Sequence, residues 1–268
     1  MSQDNEVKKI QKIQLDMMKN LHAFCVENDI KYTIAYGTLL GAIRHKGFIP
    51  WDDDIDIAIP RKDYIKLINL IKEKGIDGCF LADFSTEKNH VYPYVKLYEN
   101  EPSYVETFTK DLDVHKGLFI DIFPLDKIKK PNSFFMRFRK MLLGVITSAI
   151  WSKSGLKFER KGIKRIVNLS NYIFKLFSKN SLIKIQNKII YRENKKWEFI
   201  ANMSLSEGIS HVFYMKEKDF NDLILLDFED THLYGPSNWE EILRYWYGDY
   251  NVLPPENQRV SKHFKSIE

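Results

Sequence analysis

The sequence predicts an α/β fold of the α+β kind, in which helices flank a mixed β-sheet and a basic helical segment is inserted into the chain. Three observations predict this architecture. Strand-like and helical runs alternate over residues 30–126, residues 133–197 show only helical spacing, and the C-terminal part returns to a strand followed by a helix. We therefore predict the main body of the core at residues 1–126, a basic amphipathic insertion at 127–200 and a segment at 201–268 that completes the core.

The N-terminal half of the chain alternates between helix and strand signals. Residues 5–28 carry apolar side chains such as Ile10, Met17 and Leu21 at intervals that fit one helix face, and Asp4 is a candidate N-cap. After this opening helix we predict a strand at 32–36, a short helix at 39–45, a strand at 54–59 closed by Pro60, and a helix at 62–74. Strand-forming runs at 79–84, 91–98, 103–108 and 118–123 complete a mixed sheet.

Helical spacing dominates the middle of the chain. Between residues 133 and 197, apolar residues such as Ile166, Val167 and Leu169 recur with Lys or Arg between them, which predicts two or three amphipathic helices. The later segment LILLDFED predicts a strand. The run from Ser237 to Glu240 has the sequence of a capping box and predicts the start of the helix EEILRYWYG, which Gly248 ends.

The composition describes a folded protein and excludes several classes. Of the 268 residues, 44% are hydrophobic, and 18 Phe, 14 Tyr and 5 Trp supply core material, so disordered and collagen-like chains are excluded. Cys25 and Cys79 are the two cysteines, which predicts neither a disulfide framework nor a thiolate metal site and favours a reducing compartment. The first residues lack the apolar core of a signal peptide, and residues 141–151 are too short to span a bilayer, so we expect a cytoplasmic protein.

The net charge of +5 conceals a strong asymmetry. Residues 127–196 contain 19 Lys or Arg against two acids, a charge of +17, while the remainder has 22 against 34, a charge of −12. A helical subdomain with solvated lysines explains part of this pattern. An anionic membrane surface explains it as well, because each Lys or Arg gains about 1 kcal/mol there and the patch FFMRFRKMLLGVITSAIW offers apolar groups. We therefore expect peripheral membrane association. Because no nucleic-acid-binding signature accompanies the charge, we expect no nucleic-acid partner.

The most informative segment is the carboxylate strand PWDDDIDIAI, at residues 50–59. Asp is a poor strand residue, yet alternation would place Asp52, Asp54 and Asp56 on one face and Asp53 with the isoleucines on the other. Carboxylates at such short distances raise one another's pKa unless a cation neutralises them. Their oxygen atoms are suitable ligands for Mg²⁺, Mn²⁺ or Ca²⁺. We predict Asp54 and Asp56 as metal ligands, whereas Asp53 stays open between a function and a structural turn.

Two further segments extend the predicted site. Asp121 lies inside the apolar strand GLFIDIFP, which has no structural use for a carboxylate, so we predict it as the third ligand if the two strands are neighbours. Gly37 and Thr38 join a strand to a short helix, where backbone amides and a hydroxyl suit a phosphate oxygen. Arg44 would add positive charge for a diphosphate, although such residues on a short helix are also commonly solvated.

Three blocks of sequence together resemble a known family: AYGTLLGAIRHKGFIPWDDDIDIAIPRKDY, GLFIDIFPLD and NWEEILRYWYGDYNVLPP. Over most of residues 30–126 and 235–255 the chain resembles the LicD family of phosphocholine transferases, relatives of the fukutin-type enzymes. The resemblance implies a nucleotidyltransferase-like catalytic core that binds a nucleotide diphosphate through Mg²⁺ or Mn²⁺. It implies the phosphate-turn role for Gly37 and Thr38, and the metal and base roles for Asp54, Asp56 and Asp121.

The implied reaction transfers phosphocholine, or a similar phospho-alcohol, from a CDP-alcohol such as CDP-choline to a sugar hydroxyl, and CMP is released. The acceptor would be a lipid-linked glycan precursor of teichoic acid or lipopolysaccharide. The metal would neutralise the leaving diphosphate oxygen, aided by Arg44 or Lys96. Choline requires aromatic faces because a quaternary ammonium has no N–H to donate. Aromatic candidates, for which core packing is the alternative, are Trp51, Tyr94, Trp246, Tyr247 and Tyr250.

Three other functions would use similar features. A metal-dependent glycosyltransferase also holds a nucleotide sugar through a short Asp-x-Asp pattern, such as the pair Asp54 and Asp56, although the Gly-Thr turn speaks against it. A non-catalytic metal-binding module associated with membranes would need only the acidic cluster and the basic helices. A polymerase-like nucleotidyltransferase would consume nucleoside triphosphates and bind RNA with strong salt dependence.

Overall fold

The computed structural model describes residues 3–102, 104–131, 133–158, 161–191, 197–204, 212–261 and 263–266. The helices within them are α1 (Gln3–Glu27), α2 (Tyr36–His45), α3 (Arg61–Lys74), α4 (Phe134–Lys153), α5 (Lys161–Ile173), α6 (Lys179–Ile190), α7 (Glu217–Asn221) and α8 (Trp239–Tyr247). The strands are β1 (Thr33–Ile34), β2 (Ile55–Pro60), β3 (Cys79–Ala82), β4 (Val95–Glu99), β5 (Tyr104–Glu106), β6 (Phe119–Ile128), β7 (Phe199–Asn202), β8 (Tyr214–Lys216), β9 (Leu223–Phe228), β10 (Thr231–Pro236) and β11 (Phe264–Ser266). The predicted mixed α/β fold is confirmed.

A mixed sheet in the order β1-β2-β6-β4-β3 forms the centre of the molecule. Strands β2 and β6 run parallel, and the other pairs in this row are antiparallel. The C-terminal half of β6 also pairs with β7, which pairs with β8. Both β2 and β6 are almost continuously apolar and buried, as expected for strands covered on both faces. Helices α1 and α3 pack against β6.

Several predicted elements are confirmed with different bounds. The opening helix, the helix after Pro60 and the helix ended by Gly248 are present, and Gly248 adopts the positive φ of 65° that favours glycine. The N-cap predicted at Asp4 lies outside the described side chains. Helix α2 begins at Tyr36 instead of residue 39, so Gly37 and Thr38 lie in its first turn rather than in a separate loop.

The predicted capping box at the start of α8 is wrong. The N-cap is Asn238, and its side chain makes no capping hydrogen bond. The Ser237 hydroxyl donates to Asp222, and the Asn238 amide donates to Asp219. Both side chains are therefore used to hold α8 against the segment that contains α7, which a local sequence pattern does not reveal.

The basic segment folds into the three helices α4, α5 and α6, as the helical spacing predicted. Helix α4 begins at the N-cap Ser133, whose hydroxyl accepts a hydrogen bond from the Met136 amide. The buried guanidinium of Arg139 donates to the carbonyls of Ile189 and Ile190 and ties α4 to the end of α6. Among the described residues, no helix combines the length and the apolar character needed to cross a bilayer. The predicted domain boundaries stay predictions.

The C-terminal part joins the core through two strand pairs, of which the first is a hairpin. Strands β9 and β10 form an antiparallel hairpin, of which β10 was not predicted, and this hairpin packs on α2 and β1. The final strand, β11, pairs with β5. This second pairing brings residues near the end of the chain to the same edge of the core as the carboxylate strand.

Candidate active site

A cleft of about 430 Å³ opens beside the strands β2, β6 and β4. Its lining combines acidic side chains, one lysine, one histidine and a wall of aromatic rings. The lining residues are Tyr36, Asp54, Asp56, Tyr92, Tyr94, Lys96, Glu106, Phe108, Phe119, Asp121, Phe123, Trp246, Tyr247 and His263. An acidic cleft with aromatic walls suits a ligand that has a cationic part and an apolar part.

Strand register places three charged residues side by side in this cleft. Asp56 of β2 is the direct partner of Asp121 on β6, and Asp121 is the partner of Lys96 on β4. Neighbouring strands lie about 4.8 Å apart, so partners in register point their side chains to the same face. The Lys96 ammonium lies 2.8 Å from Asp121 Oδ1 and 3.4 Å from Glu106 Oε1. The prediction that the two Asp-bearing strands are neighbours is confirmed.

The cleft holds more carboxylates than cations, and burial makes this costly. Burial raises the pKa of Asp121 to about 6, although the neighbouring Lys96 ammonium opposes the increase. Burial also raises the pKa of Asp54, which His263 and Lys96 oppose. A carboxylate with a raised pKa gains from a further cation, because the cation favours the charged form.

Asp53 points away from the cleft and serves a structural purpose. Its carboxylate accepts hydrogen bonds from the Ser261 hydroxyl, from the His263 backbone amide at 3.0 Å and from His263 Nδ1 at 2.7 Å. Burial would raise the pKa of Asp53, but these hydrogen bonds outweigh it and hold the pKa below its ordinary value. Asp53 therefore anchors the C-terminal segment and places the His263 ring 3.6 Å from Asp54 Oδ2.

The predicted alternation applies from Asp53 to Asp56 but fails for Asp52. Asp54 and Asp56 line the cleft, whereas the Asp52 carboxylate lies against the start of α2. A Cβ on Gly37 would come within 2.5 Å of Asp52 Oδ2, so glycine permits this contact. Because β2 begins only at Ile55 and the Asp52 amide donates to the Ile49 carbonyl in a turn, the strand period does not extend back to residue 52.

Thr38, one of the two residues predicted to bind phosphate at the helix start, lies directly behind the acidic row, by which we mean Asp54, Asp56 and Asp121. The buried Thr38 hydroxyl accepts a hydrogen bond of 2.9 Å from the Asp56 amide and ties α2 to β2. Arg44 lies elsewhere: its guanidinium donates to His45 Nε2 and to the Tyr250 carbonyl, both at 2.9 Å, and it does not line the cleft. The structure thus brings Asp54, Asp56, Asp121 and Lys96 into one cleft, but not Arg44.

The predicted aromatic residues separate into two groups. Tyr94, Trp246 and Tyr247 line the cleft, whereas the Trp51 ring contacts the Arg259 guanidinium and Tyr250 packs against Trp239. Glu106 and His263 were missed because their sequence surroundings carry no motif. Each reaches the cleft through a strand pairing, β5 with β11, between distant parts of the chain. The sequence analysis also missed five other aromatic residues of the lining, which are Tyr36, Tyr92, Phe108, Phe119 and Phe123.

The donor chemistry of the cleft fits a hard divalent cation. Within the described part of the chain, no group of three or more His, Cys, Asp or Glu side chains is arranged to hold one ion. Mg²⁺ commonly uses only one or two carboxylates, together with waters and substrate phosphates. Asp56 and Asp121, which are partners in register, supply such a pair, and Asp54 lines the same cleft.

Comparison with known proteins finds a family model that matches part of the chain and several similar proteins. The model of the LicD/FKTN/FKRP nucleotidyltransferase domain matches residues 29–142, which include the acidic row. The chain is 27% identical over 263 residues to the lipopolysaccharide cholinephosphotransferase LicD of Haemophilus influenzae, an alignment that covers 95% of each chain. An uncharacterized protein of Rickettsia prowazekii is 49% identical over 57 residues, or 21% of each chain.

A mammalian relative shares the same region. The mouse protein named ribitol 5-phosphate transferase FKRP is 31% identical over 77 residues, which covers 24% of this chain and 16% of FKRP. The matched domain, the full-length similarity and the position of the acidic strands agree with one another. Residues 29–142 match the LicD/FKTN/FKRP nucleotidyltransferase domain, and the chain is similar over 95% of its length to the lipopolysaccharide cholinephosphotransferase LicD.

Proposed function

We propose that this protein transfers phosphocholine, or a similar phospho-alcohol, from a CDP-alcohol to a sugar hydroxyl of a cell-surface glycan precursor and releases CMP. The acceptor would be a precursor of lipopolysaccharide or teichoic acid. The similarity over 95% of the chain to a protein named lipopolysaccharide cholinephosphotransferase supports this assignment. The observation that carries it is the acidic row, with Asp56 and Asp121 in register at the base of an aromatic cleft.

In this proposal the pair Asp56 and Asp121 would hold Mg²⁺ or Mn²⁺ together with the phosphates of the donor, and Asp54, which lines the same cleft, would join them as the third predicted ligand once the donor is bound. When bound, the metal supplies positive charge to the diphosphate of the donor, which otherwise repels the carboxylates. The row carries three carboxylates, and Glu106 adds a fourth near the single ammonium of Lys96. This surplus of negative charge supports a role in cation binding more strongly than a purely structural role.

The chemical step requires an in-line arrangement of acceptor, phosphorus and leaving group. The sugar oxygen attacks the phosphorus that carries the alcohol, the bond from this phosphorus to the CMP oxygen breaks, and the sugar hydroxyl loses its proton. We assign that proton to the Asp121 carboxylate, as the family resemblance implies. Lys96, 2.8 Å from Asp121 Oδ1, orients this carboxylate, and the Thr38 hydroxyl fixes the Asp56 backbone.

The aromatic wall supports a cationic alcohol such as choline. Aromatic faces attract a quaternary ammonium by about 0.5–2 kcal/mol each. Tyr247 is partly exposed at the cleft, with Trp246 and Phe108 beside it in the lining, and the Glu106 carboxylate adds negative charge. A polyol phosphate is the second candidate, because the similarity to a ribitol 5-phosphate transferase favours it. A polyol would bind through hydrogen bonds to tyrosine hydroxyls and carboxylates of the lining, whereas choline would bind through the aromatic faces.

Release of CMP from a panel of donors tests the proposal. Purified protein is incubated with Mg²⁺ or with a chelator, with CDP-choline, CDP-ethanolamine or CDP-ribitol, and with glycan acceptors. We expect metal-dependent CMP release with CDP-choline as the preferred donor. Asp227→Asn serves as the matched control for Asp54→Asn, because Asp227 is an exposed carboxylate outside the cleft.

Two results would overturn parts of this proposal. CMP release that is unchanged by the chelator would contradict the metal assignment. Consumption of a nucleotide sugar in place of every CDP-alcohol would identify a glycosyltransferase, which is the alternative that the Asp-x-Asp pattern left open. Absence of any transfer together with tight metal binding would favour a non-catalytic module.

A further inference from the structure

The outer face of α5 exposes apolar side chains in a regular stripe. Ile166, Leu169 and Ile173 follow one another at intervals of three and four residues, and more than half of each side chain is exposed. The inner face of α5 is occupied separately, since Val167 and Ser170 are buried. The apolar surface of this helix is therefore wider than its contact with the protein. A water-exposed helix normally places polar residues on that side.

The first half of α4 repeats this arrangement. Phe134, Phe138 and Met141, at intervals of four and three residues, are exposed, and Phe134 reaches 86% exposure. On the other side of the helix, Met136 and Leu143 pack in a buried cluster with residues of α6 and β7. We call Phe134, Phe138, Met141, Ile166, Leu169 and Ile173 the apolar stripes. Helices α4 and α5 pack against each other, so each stripe lies on one of two neighbouring helices. Rows of large exposed apolar side chains mark interaction surfaces in soluble proteins.

Positive charge surrounds the apolar stripes. Arg137 on α4 and Lys164 and Arg165 on α5 are exposed next to them, within the segment of charge +17. A second copy of this chain would bring two segments of the same high charge together, which opposes self-association through the stripes. A surface with negative charge and an apolar layer beneath it satisfies both features. The cytoplasmic leaflet of a membrane that contains anionic lipid has this structure.

We propose that the apolar stripes of α4 and α5 dock on an anionic lipid surface, with their apolar side chains at the acyl boundary and the basic residues among the headgroups. Helices of this kind lie in the plane of the interface and bury their apolar face about 5–10 Å deep. The docking itself does not depend on the reaction. Its purpose, access to a lipid-linked acceptor, rests on the function proposed above.

Vesicle sedimentation tests the docking directly. Wild-type protein is mixed with phosphatidylcholine vesicles that contain either no phosphatidylserine or about 30% of it. We expect binding only with the anionic lipid, and weaker binding as salt rises from about 0.05 to 0.5 M, because salt screens the attraction. The triple variant Ile166→Ser/Leu169→Ser/Ile173→Ser should bind at least about tenfold more weakly, because it removes apolar area from the interface. The matched control Leu225→Ser/Val252→Ser changes equally exposed residues outside the stripes and should bind like wild type.

Charge is tested with a second matched pair. Lys164→Glu/Arg165→Glu should lower binding at least about tenfold. Lys31→Glu/Lys62→Glu, which reverses two exposed charges elsewhere on the surface, should have a much smaller effect. Circular dichroism and thermal unfolding establish that each variant is folded, and CMP release with a soluble acceptor measures the active site independently.

Three outcomes would overturn the proposal. The first is a wild-type protein that does not bind anionic vesicles. The second is that the triple variant and the charge variant bind as well as wild type, and the third is a wild-type dimer in solution where the triple variant is a monomer. The last outcome would identify a second copy of the chain as the occupant of the stripes. Failure of CMP release with intact vesicle binding would instead overturn the proposed function and leave the docking surface in place.

Discussion

Asp53 and Asp54 are adjacent in sequence, but their carboxylates face different parts of the molecule. The Asp53 carboxylate is fully buried and accepts hydrogen bonds from Ser261, His263 and Phe264. The Asp54 carboxylate lines the cleft, where burial raises its pKa. Substitution of each by Asn is nearly isosteric, so the pair separates a role in stability from a role in the reaction.

We predict that Asp54→Asn and Asp56→Asn each lower the rate of CMP release by about 100-fold or more, and that Asp121→Asn behaves similarly. For Asp54→Asn and Asp56→Asn the free energy of unfolding without metal should stay constant or increase slightly, because each removes a carboxylate from a crowded acidic cleft. For Asp121→Asn it should decrease, because the buried Lys96 ammonium loses its partner at 2.8 Å. Steady-state kinetics and urea denaturation measure the two quantities. Retention of more than about a tenth of the activity, a barrier change below about 1.4 kcal/mol, would exclude the metal-ligand assignment.

Asp53→Asn should have the opposite profile. It replaces an acceptor of several hydrogen bonds, so we expect a loss of about 1–3 kcal/mol in unfolding free energy and faster proteolysis of the C-terminal segment. The loss of activity should be smaller than at Asp54, since Asp53 does not face the cleft. Equal activity losses at the two positions, with equal stability, would contradict the separation described above.

The aromatic wall predicts a donor-specific change in KM. Tyr247→Leu should raise the KM for CDP-choline by about 2- to 30-fold, because one aromatic face contributes about 0.5–2 kcal/mol to binding a quaternary ammonium. The KM for CDP-ribitol should change less. Trp51→Leu is the control, since Trp51 is an aromatic residue outside the cleft. An equal change for both donors would indicate that Tyr247 only shapes the cleft.

At the scale of elements, β6 connects most of the core. It pairs with β2, β4 and β7, and an ion pair joins its Asp126 to Arg61 at the start of α3. The Arg61 guanidinium donates two hydrogen bonds, of 2.9 and 2.6 Å, to the two Asp126 oxygens. The Asp126 side chain is 1% exposed, so this pair lies where an unpaired carboxylate is most costly.

We predict that Arg61→Met lowers the free energy of unfolding by about 3 kcal/mol, because it leaves the Asp126 carboxylate buried without its partner. The double variant Arg61→Met/Asp126→Leu should recover most of this loss, since it removes both charges. Urea denaturation of the single and double variants measures the difference. A double variant that is no more stable than the single variant would contradict the unpaired Asp126 carboxylate as the cause of the loss.

At the scale of the whole molecule, one buried histidine makes stability depend on pH. His90 is buried, and burial lowers its pKa to about 4, although a hydrogen bond between its Nε2 and the Tyr94 carbonyl opposes the decrease. Its ordinary pKa in the unfolded chain is 6.5. Between these values the unfolded chain binds more protons than the folded one, so stability is fully present above pH 6.5 and falls toward pH 4.

We predict that wild-type protein loses about 2 kcal/mol more unfolding free energy between pH 7 and pH 5 than His90→Gln does. Glutamine retains an N–H for the Tyr94 carbonyl but does not take up a proton in this range. Urea denaturation at both pH values gives the comparison, and His232→Gln, at an exposed position, should retain the wild-type slope. Identical slopes for wild type and His90→Gln would contradict the assigned cause.

Local patterns were sufficient for much of the fold. The spacing of apolar residues predicted α1, α3 and the three basic helices, and the alternation in the carboxylate strand predicted β2. Both patterns depend only on residues that are near one another in the sequence. Several boundaries and some short strands were missed. Strands β7 and β8 are short, and β7 pairs with the distant strand β6, so tertiary contacts define them. Strand β10 forms a local hairpin with β9, but its run THLYGP ends in Gly and Pro, which are poor strand residues.

By itself, the sequence determined that carboxylates interrupt two apolar strands, that a +17 helical segment interrupts an acidic chain, and that the motifs match one family. Only the tertiary structure decided that Asp56, Asp121 and Lys96 are neighbours in register and that Arg44 donates to the Tyr250 carbonyl. It also decided that Asp53 accepts a hydrogen bond from His263, 210 positions away. The physical reason is that strand register and side-chain partners depend on which distant segments pair. A local pattern limits the face of each residue, and the packed sheet selects its neighbours.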